Sequence, residues 1–227
     1  MKKIVLLLFG IALVYSCSSS SDSNGNISGT TITDIDGNVY HTITNCNQTW
    51  TKTNLNVSKY RNGDIIPQVT DATQWETLTT GAWCYYNNDP ANGVIYGKLY
   101  NWYAISDIRG IAPTGYHIPS DTEWTTLTNC LGGQALSGGK MKETGTIHWI
   151  SPNTSADNSS DFSGLPGGYN YGNFNDIGSR GFWWSSSEFI TQNESYGFYR
   201  ALYFNYGATD SSYTFKTTGY SVRCIKD

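Results

Sequence analysis

Hydrophobic positions follow three regimes along the chain. Residues 4–14 form an unbroken apolar run of 11 behind Lys2 and Lys3. That is shorter than the roughly 20 helical residues needed to cross a bilayer, and it fits the core of a secretory leader. Residues 18–29 are small, polar and almost free of apolar side chains, which predicts a flexible tether unable to fold alone. From Thr30 onward apolar residues return in short alternations. Thr31-Ile32-Thr33-Asp34-Ile35, the turn Asp36-Gly37-Asn38, and Val39-Tyr40-His41-Thr42-Ile43 predict a β-hairpin. Residues 48–55 predict another strand, 71–78 a short helix and 82–86 a strand. Leu99, Trp102 and Tyr103 at helical spacing predict a first main helix over 96–105. The second main helix has a start signal: Ser120 and Glu123 form a capping box, and Trp124, Leu127 and Leu131 fall on one face before Gly132-Gly133 ends it. Residues 144–181 read as a long irregular stretch whose order comes from Trp149, Phe162, Tyr169, Tyr171 and Phe174. The end of the chain is β again, over 182–186, 196–204 and 219–225.

The leader changes the picture through its last residues. Val14-Tyr15-Ser16-Cys17 resembles a bacterial lipobox, in which the Cys gains a diacylglyceryl thioether and becomes the first residue after cleavage. The expected organisation is a leader over 1–17, a tether over 18–30 and one globular domain over 31–227. Lipid on Cys17 then makes the membrane a partner, since acyl chains contribute about 0.8 kcal/mol per buried CH₂. Four cysteines remain: Cys46, Cys84, Cys130 and Cys224. In an oxidising compartment they permit three connectivities. A Cys46–Cys84 disulfide is expected, because each sits beside a predicted strand, with Cys130 and Cys224 either paired or buried and reduced. No CxxC or HxxxH spacing suggests zinc. The chain carries 14 basic and 18 acidic residues, a net −4 that becomes −6 once Lys2 and Lys3 are removed. No basic cluster exists to hold phosphates, so nucleic acid is not an expected partner.

Six ordered phrases carry a family resemblance. They are Gly97-Lys98-Leu99-Tyr100-Asn101-Trp102; Ala112-Pro113-Thr114-Gly115-Tyr116-His117-Ile118-Pro119-Ser120-Asp121-Thr122-Glu123-Trp124; Gly138-Gly139-Lys140-Met141-Lys142; Phe162-Ser163-Gly164-Leu165-Pro166-Gly167-Gly168-Tyr169; Trp183-Trp184-Ser185-Ser186; and Ser221-Val222-Arg223-Cys224. Together they resemble the Fibrobacter succinogenes major paralogous domain, common in lipoproteins of Bacteroidetes-like bacteria, over about residues 36–226. That likeness implies an outer-membrane setting. More distantly the chain is similar to C-type-lectin-like and formylglycine-generating-enzyme-like folds. This implies an α+β architecture: a small twisted antiparallel sheet, two main helices and long irregular loops. Where many relatives carry a Cys able to partner the terminal one, this chain has Ala112.

The chemistry follows from what is present and what is missing. An oxidase of the formylglycine-generating kind needs paired reactive thiols or a His-rich metal site. Here His41, His117 and His148 are widely spread, and Glu123 reads as a helix cap rather than an acid. Serine-nucleophile and phosphate-loop patterns are absent. The expectation is a non-enzyme, with an enzyme related to formylglycine-generating enzymes, or a hydrolase built on a carboxylate pair, as the catalytic alternatives. Asp157, Asn158 and Asp161 cluster oxygens of the kind calcium favours, and lectin-like loops hold sugar hydroxyls through Ca²⁺. The same residues equally build Asx turns. Tyr171, Asn175 and Trp183 are the candidate ligand contacts, the rings offering faces to a sugar. The reading is recognition of a glycan or a surface protein at the cell envelope, with a structural subunit of a surface assembly as the alternative.

Overall fold

A computed structural model describes residues 30–227; the expected leader, Cys17 and the tether as far as Gly29 lie outside the described residues. The chain begins with β1 (Thr31–Thr33), β2 (Val39–Asn45) and β3 (Gln48–Thr51), followed by α1 (Ala72–Glu76) and β4 (Trp83–Cys84). Next come α2 (Pro90–Tyr96), β5 (Leu99–Tyr100), α3 (Trp102–Ile105) and β6 (Tyr116–His117). Two longer helices, α4 (Asp121–Cys130) and α5 (Gln134–Met141), precede β7 (Gly167–Tyr171) and β8 (Asn173–Ile177). The chain closes with β9 (Arg180–Ile190), β10 (Ser195–Tyr203), β11 (Thr209–Phe215) and β12 (Ile225–Lys226). The fold is α+β. A five-stranded sheet runs β1-β2-β3-β12-β6, a three-stranded sheet runs β11-β10-β9, and β4-β5 and β7-β8 are separate pairs. Every strand pairing within these sheets is antiparallel.

The first hairpin forms where the alternation predicts it. Asp34 holds its turn by accepting from the Asp36 and Asn38 amides and from the Tyr40 hydroxyl, at 2.9, 3.0 and 2.6 Å. The next turn, Cys46-Asn47, has φ of 54° and 65° between paired Asn45 and Gln48, the left-handed geometry of a two-residue hairpin loop. The capping box is also realised: the Ser120 hydroxyl accepts from the Glu123 amide, and Glu123 accepts from the Ser120 amide at 2.7 Å. Trp124 and Leu127 then pack with Trp50, Phe162, Trp183 and Leu202 in a buried cluster.

Three expectations are corrected, and helix α5 and strand β11 form where no element was predicted. The helix over 96–105 does not form as one element. Helix α2 stops at Tyr96 because Gly97 turns with φ 73°, and Leu99-Tyr100 extend to pair with β4 before one helical turn follows. Helix α5 was hidden by its own glycines. A side-chain carbon at Gly138 would overlap the Ala208 carbonyl, and one at Gly139 the Ser155 carbonyl, so these glycines admit a crossing backbone rather than break the helix. Strands β7, β8 and β11 arise in stretches that lack a clean apolar alternation, and they are held by their partner strands. Finally, the disulfide joins Cys46 to Cys130, not to Cys84. The C-terminal end of α4 packs beside the β2–β3 turn with a Cα separation of 6.3 Å, whereas Cys84 lies buried on β4 in a different cluster. Cys84 and Cys224 are free and buried, and Ala112 lies in the same cluster as Cys224. Burial pushes the Cys84 thiol up to about 12 and raises that of Cys224 as well, so neither forms a reactive thiolate.

Candidate functional site

The three-stranded sheet is partly roofed by helix. On one face Trp183 and Leu202 meet Trp124 and Leu127 of α4, and Arg200 donates to Asp121 and Thr125 in the first turn of that helix. Beyond Arg200 the same face runs on past the start of α4. Successive same-side positions on β10 are Phe198 and Tyr196, opposite Tyr213 and Phe215 on β11, and Phe189 on β9 lies opposite Tyr196. None of these five rings belongs to the buried clusters. They pack on one another instead: Phe189 stacks on Tyr213 with centroids 4.2 Å apart, and Tyr196 meets Phe215 at 5.5 Å. Tyr171, at the tip of the β7–β8 hairpin, stacks on Phe215 at 5.8 Å and 19°. Tyr171, Tyr213 and Phe215 are 42%, 44% and 49% exposed. The result is a six-ring strip open to solvent. Uncovered apolar patches of this kind mark interaction surfaces.

Of the predicted ligand contacts, Tyr171 joins this strip. Asn175 is exposed on β8 in the same hairpin, with its amide turned to the Asn173 carbonyl at 3.1 Å. Trp183 is corrected: it is fully buried, and its indole N–H donates to Asn54 Oδ1 at 2.9 Å, so it presents no face to a ligand. The calcium grouping is corrected as well. Asp157 accepts from the Ser159 amide, Asn158 is engaged with Ser163 through both ends of its amide, and Asp161 pairs with Lys52. These are turn-forming and surface contacts. Among the described residues no group of three or more His, Cys, Asp and Glu side chains is arranged to hold a metal ion.

The histidines do not converge. His148 faces Glu143 at 2.8 Å, while His117 bridges Glu123 at 2.9 Å and Asp227 at 2.7 Å. Burial pulls the His117 pKa down, but its hydrogen bonds to Asp227 and Glu123 outweigh this and the net shift is upward from 6.5. Burial likewise works against the Glu123 carboxylate, and the Ser120 and His117 contacts prevail to lower it. A raised folded-state pKa means that the His117 contribution is fully present below 6.5 and is lost as pH rises through the folded value. The melting-temperature gap between wild type and His117→Gln is therefore expected at pH about 6 and should close at pH about 9. A gap that persists unchanged at the higher pH would rule out the charged bridge.

A second opening lies between the β2–β3 hairpin and the loop around residues 159–165. It is a cleft of about 870 Å³ lined by polar side chains with Ile43, Ile95 and Leu165. His41 stands on its wall, and Arg223 lies in its floor.

Among the described residues four cations are buried; Arg200 pairs with Asp121, and the other three, Arg223 among them, have no ion-pair partner, lie within the family phrases and were missed in reading the sequence. Lys98 donates to the Asn56 carbonyl and lies 4.3 Å over the Trp83 ring. Lys142 donates to the carbonyls of Thr154, Tyr203 and Tyr206 at 2.7, 2.9 and 3.0 Å. Arg223 donates to Asn54 Oδ1 and to the carbonyls of Thr51, Phe162 and Ser163. Burial pushes Lys98 and Lys142 down to about 8 and Arg223 down to about 9, and all three stay charged at neutral pH. Apart from Asn54 Oδ1, these acceptors are backbone carbonyls of loops and strand ends. The cations satisfy carbonyls that a helix or sheet would otherwise satisfy, which is how long irregular segments stay ordered here. Each of these residues sits in a phrase with no charge run or periodicity, so only a buried position reveals its role.

The family model described as the Fibrobacter succinogenes major domain matches residues 43–226. No curated protein and no solved structure matches the chain.

Proposed function

The chain belongs to the Fibrobacter succinogenes major domain family, and from that premise we propose that it is a lipid-anchored cell-envelope recognition domain that binds carbohydrate without transforming it. The aromatic strip is the observation that carries this reading. A pyranose ring offers a face of C–H bonds, which an aromatic ring attracts through the negative charge of its own face while burying apolar surface. Rings stacked 4–6 Å apart along two sheet rungs suit successive sugar units of an extended chain. Lipid on Cys17 and the following tether supply what such a domain needs, a hold on the outer membrane and reach away from it. The C-type-lectin-like likeness belongs to the same proposal, supported by the capped helix, the long loops and the final Arg-Cys step.

The test is retention of the lipid-free domain on insoluble cellulose, xylan or chitin. Wild type should be retained, and the surface double variant Tyr196→Ala, Tyr213→Ala should bind about tenfold or more weakly while melting as wild type does. Equal retention of both proteins would refute the strip as the sugar site. Concentration-dependent self-association that the double variant abolishes would instead favour a structural subunit.

A further inference from the structure

We propose that the cleft beside the β2–β3 hairpin is a second binding site, separate from the aromatic strip, and that it takes the carboxylate of a uronate sugar on Arg223 and Lys52. Arg223 is 1% exposed, and four of its five N–H groups reach neutral acceptors: Asn54 Oδ1 at 2.7 Å and the Thr51, Phe162 and Ser163 carbonyls at 2.8, 3.1 and 3.3 Å. Among the described residues the fifth, on the nitrogen that donates to Ser163, has no acceptor. Among the described residues no carboxylate forms an ion pair with this guanidinium. A buried cation normally has a counter-charge, because desolvation costs several kcal/mol per ion. Here the guanidinium has only the Phe162 ring against it, at 4.4 Å, in place of a carboxylate, and Arg223 lines an open cleft of about 870 Å³.

The surroundings narrow the ligand. Lys52 lines the same cleft and is held by Asp161, a carboxylate that is 59% exposed on its side chain. An incoming carboxylate can exchange with Asp161 on Lys52 and reach the free N–H of Arg223, with the charge-assisted bonds a guanidinium forms best. The rest of the wall supplies Thr44, Asn45, Ser159 and Ser163, groups that hydrogen-bond hydroxyls, and only three aliphatic side chains. That composition fits a hydroxylated ring better than a peptide side chain. Glu143 and Asp161 on the same lining repel a densely charged polyanion, which leaves a single carboxylate on a sugar.

Titration of methyl β-D-glucuronide against methyl β-D-glucoside isolates the carboxylate, since the two rings otherwise match. Nitrogen-15 NMR of the folded domain reads both backbone amides and the Arg223 Nε–H. The glucuronide should shift the Arg223 and Lys52 region saturably, and the glucoside should bind about tenfold or more weakly. Lys52→Ala should weaken the glucuronide about fivefold, and Asp161→Asn, which removes the competing carboxylate, should strengthen it. The strip variant Tyr196→Ala, Tyr213→Ala should bind it as wild type does, so loss of polysaccharide retention leaves this site standing. Indistinguishable titrations with the two sugars, or a Lys52→Ala protein of unchanged affinity, would overturn the proposal. Tighter binding of a dipeptide through its free C-terminal carboxylate would overturn the sugar assignment.

Discussion

Arg223→Met is expected to lose about 4 kcal/mol of stability, a large share of the roughly 5–15 kcal/mol typical of a whole domain. The methionine matches the aliphatic stem but removes a donor from Asn54 Oδ1, which keeps the Trp183 indole N–H, and strands the Thr51, Phe162 and Ser163 carbonyls in a buried setting. Each orphaned acceptor costs about 1–3 kcal/mol, offset in part because a buried charge is no longer desolvated. Three segments lose their common tie, since these acceptors come from the end of β3, the stretch that follows it and the 162–163 loop. Urea melts of the lipid-free domain measure the effect through a lower midpoint at unchanged slope. Lys142→Met should follow the same course with a loss of about 3 kcal/mol, because it too strands three carbonyls. If either protein melts within about 0.5 kcal/mol of wild type, the view that buried cations order the loops fails.

Opening the disulfide should have an effect of similar size. Cys46 and Cys130 are 84 residues apart, so the link removes a long loop's freedom from the unfolded chain. Loop-closure entropy for that length is worth about 4–5 kcal/mol in the chain-entropy model, and about 3 kcal/mol is a typical realised value. The double variant Cys46→Ser, Cys130→Ser is expected to lose about that much, with a correspondingly lower thermal midpoint. Cys84→Ser and Cys224→Ser provide the contrast, because those thiols are free and their loss perturbs packing only. A reducing agent should destabilise wild type to the level of the double variant and leave that variant unmoved. A disulfide found by peptide mapping between any other pair of these four cysteines would contradict the pairing.

Both predictions concern residues whose sequence setting is plain and whose structural setting is not. Cys46 and Cys84 look like partners because each adjoins a predicted strand. The turn at Cys46-Asn47 instead points toward the end of α4, and nothing local in either segment encodes that meeting. Lys98, Lys142 and Arg223 look like ordinary surface cations, since composition says nothing about which loop folds over them. Trp183 and Trp184 show the converse. Strand alternation sends them to opposite faces, but whether the face beyond is solvent or helix depends on α4 and on the opposite cluster, and both rings prove fully buried.

Local chemistry alone determined the Asp34–Asn38 hairpin, the Ser120 capping box, the poverty of charge and the family, because each is set by neighbours within a few residues or by ordered phrases. Tertiary structure alone decided the disulfide partner, the glycine-lined passage of α5, the carbonyl cages around the buried cations and the strip of uncovered rings. Tyr196, Phe198 and Tyr213 have the same alternation as core residues. They stay in solvent only because α4 begins at the level of Arg200 and reaches no further along the sheet. Side-chain spacing records which face a residue takes; what lies against that face is a property of distant segments, and no local pattern carries it.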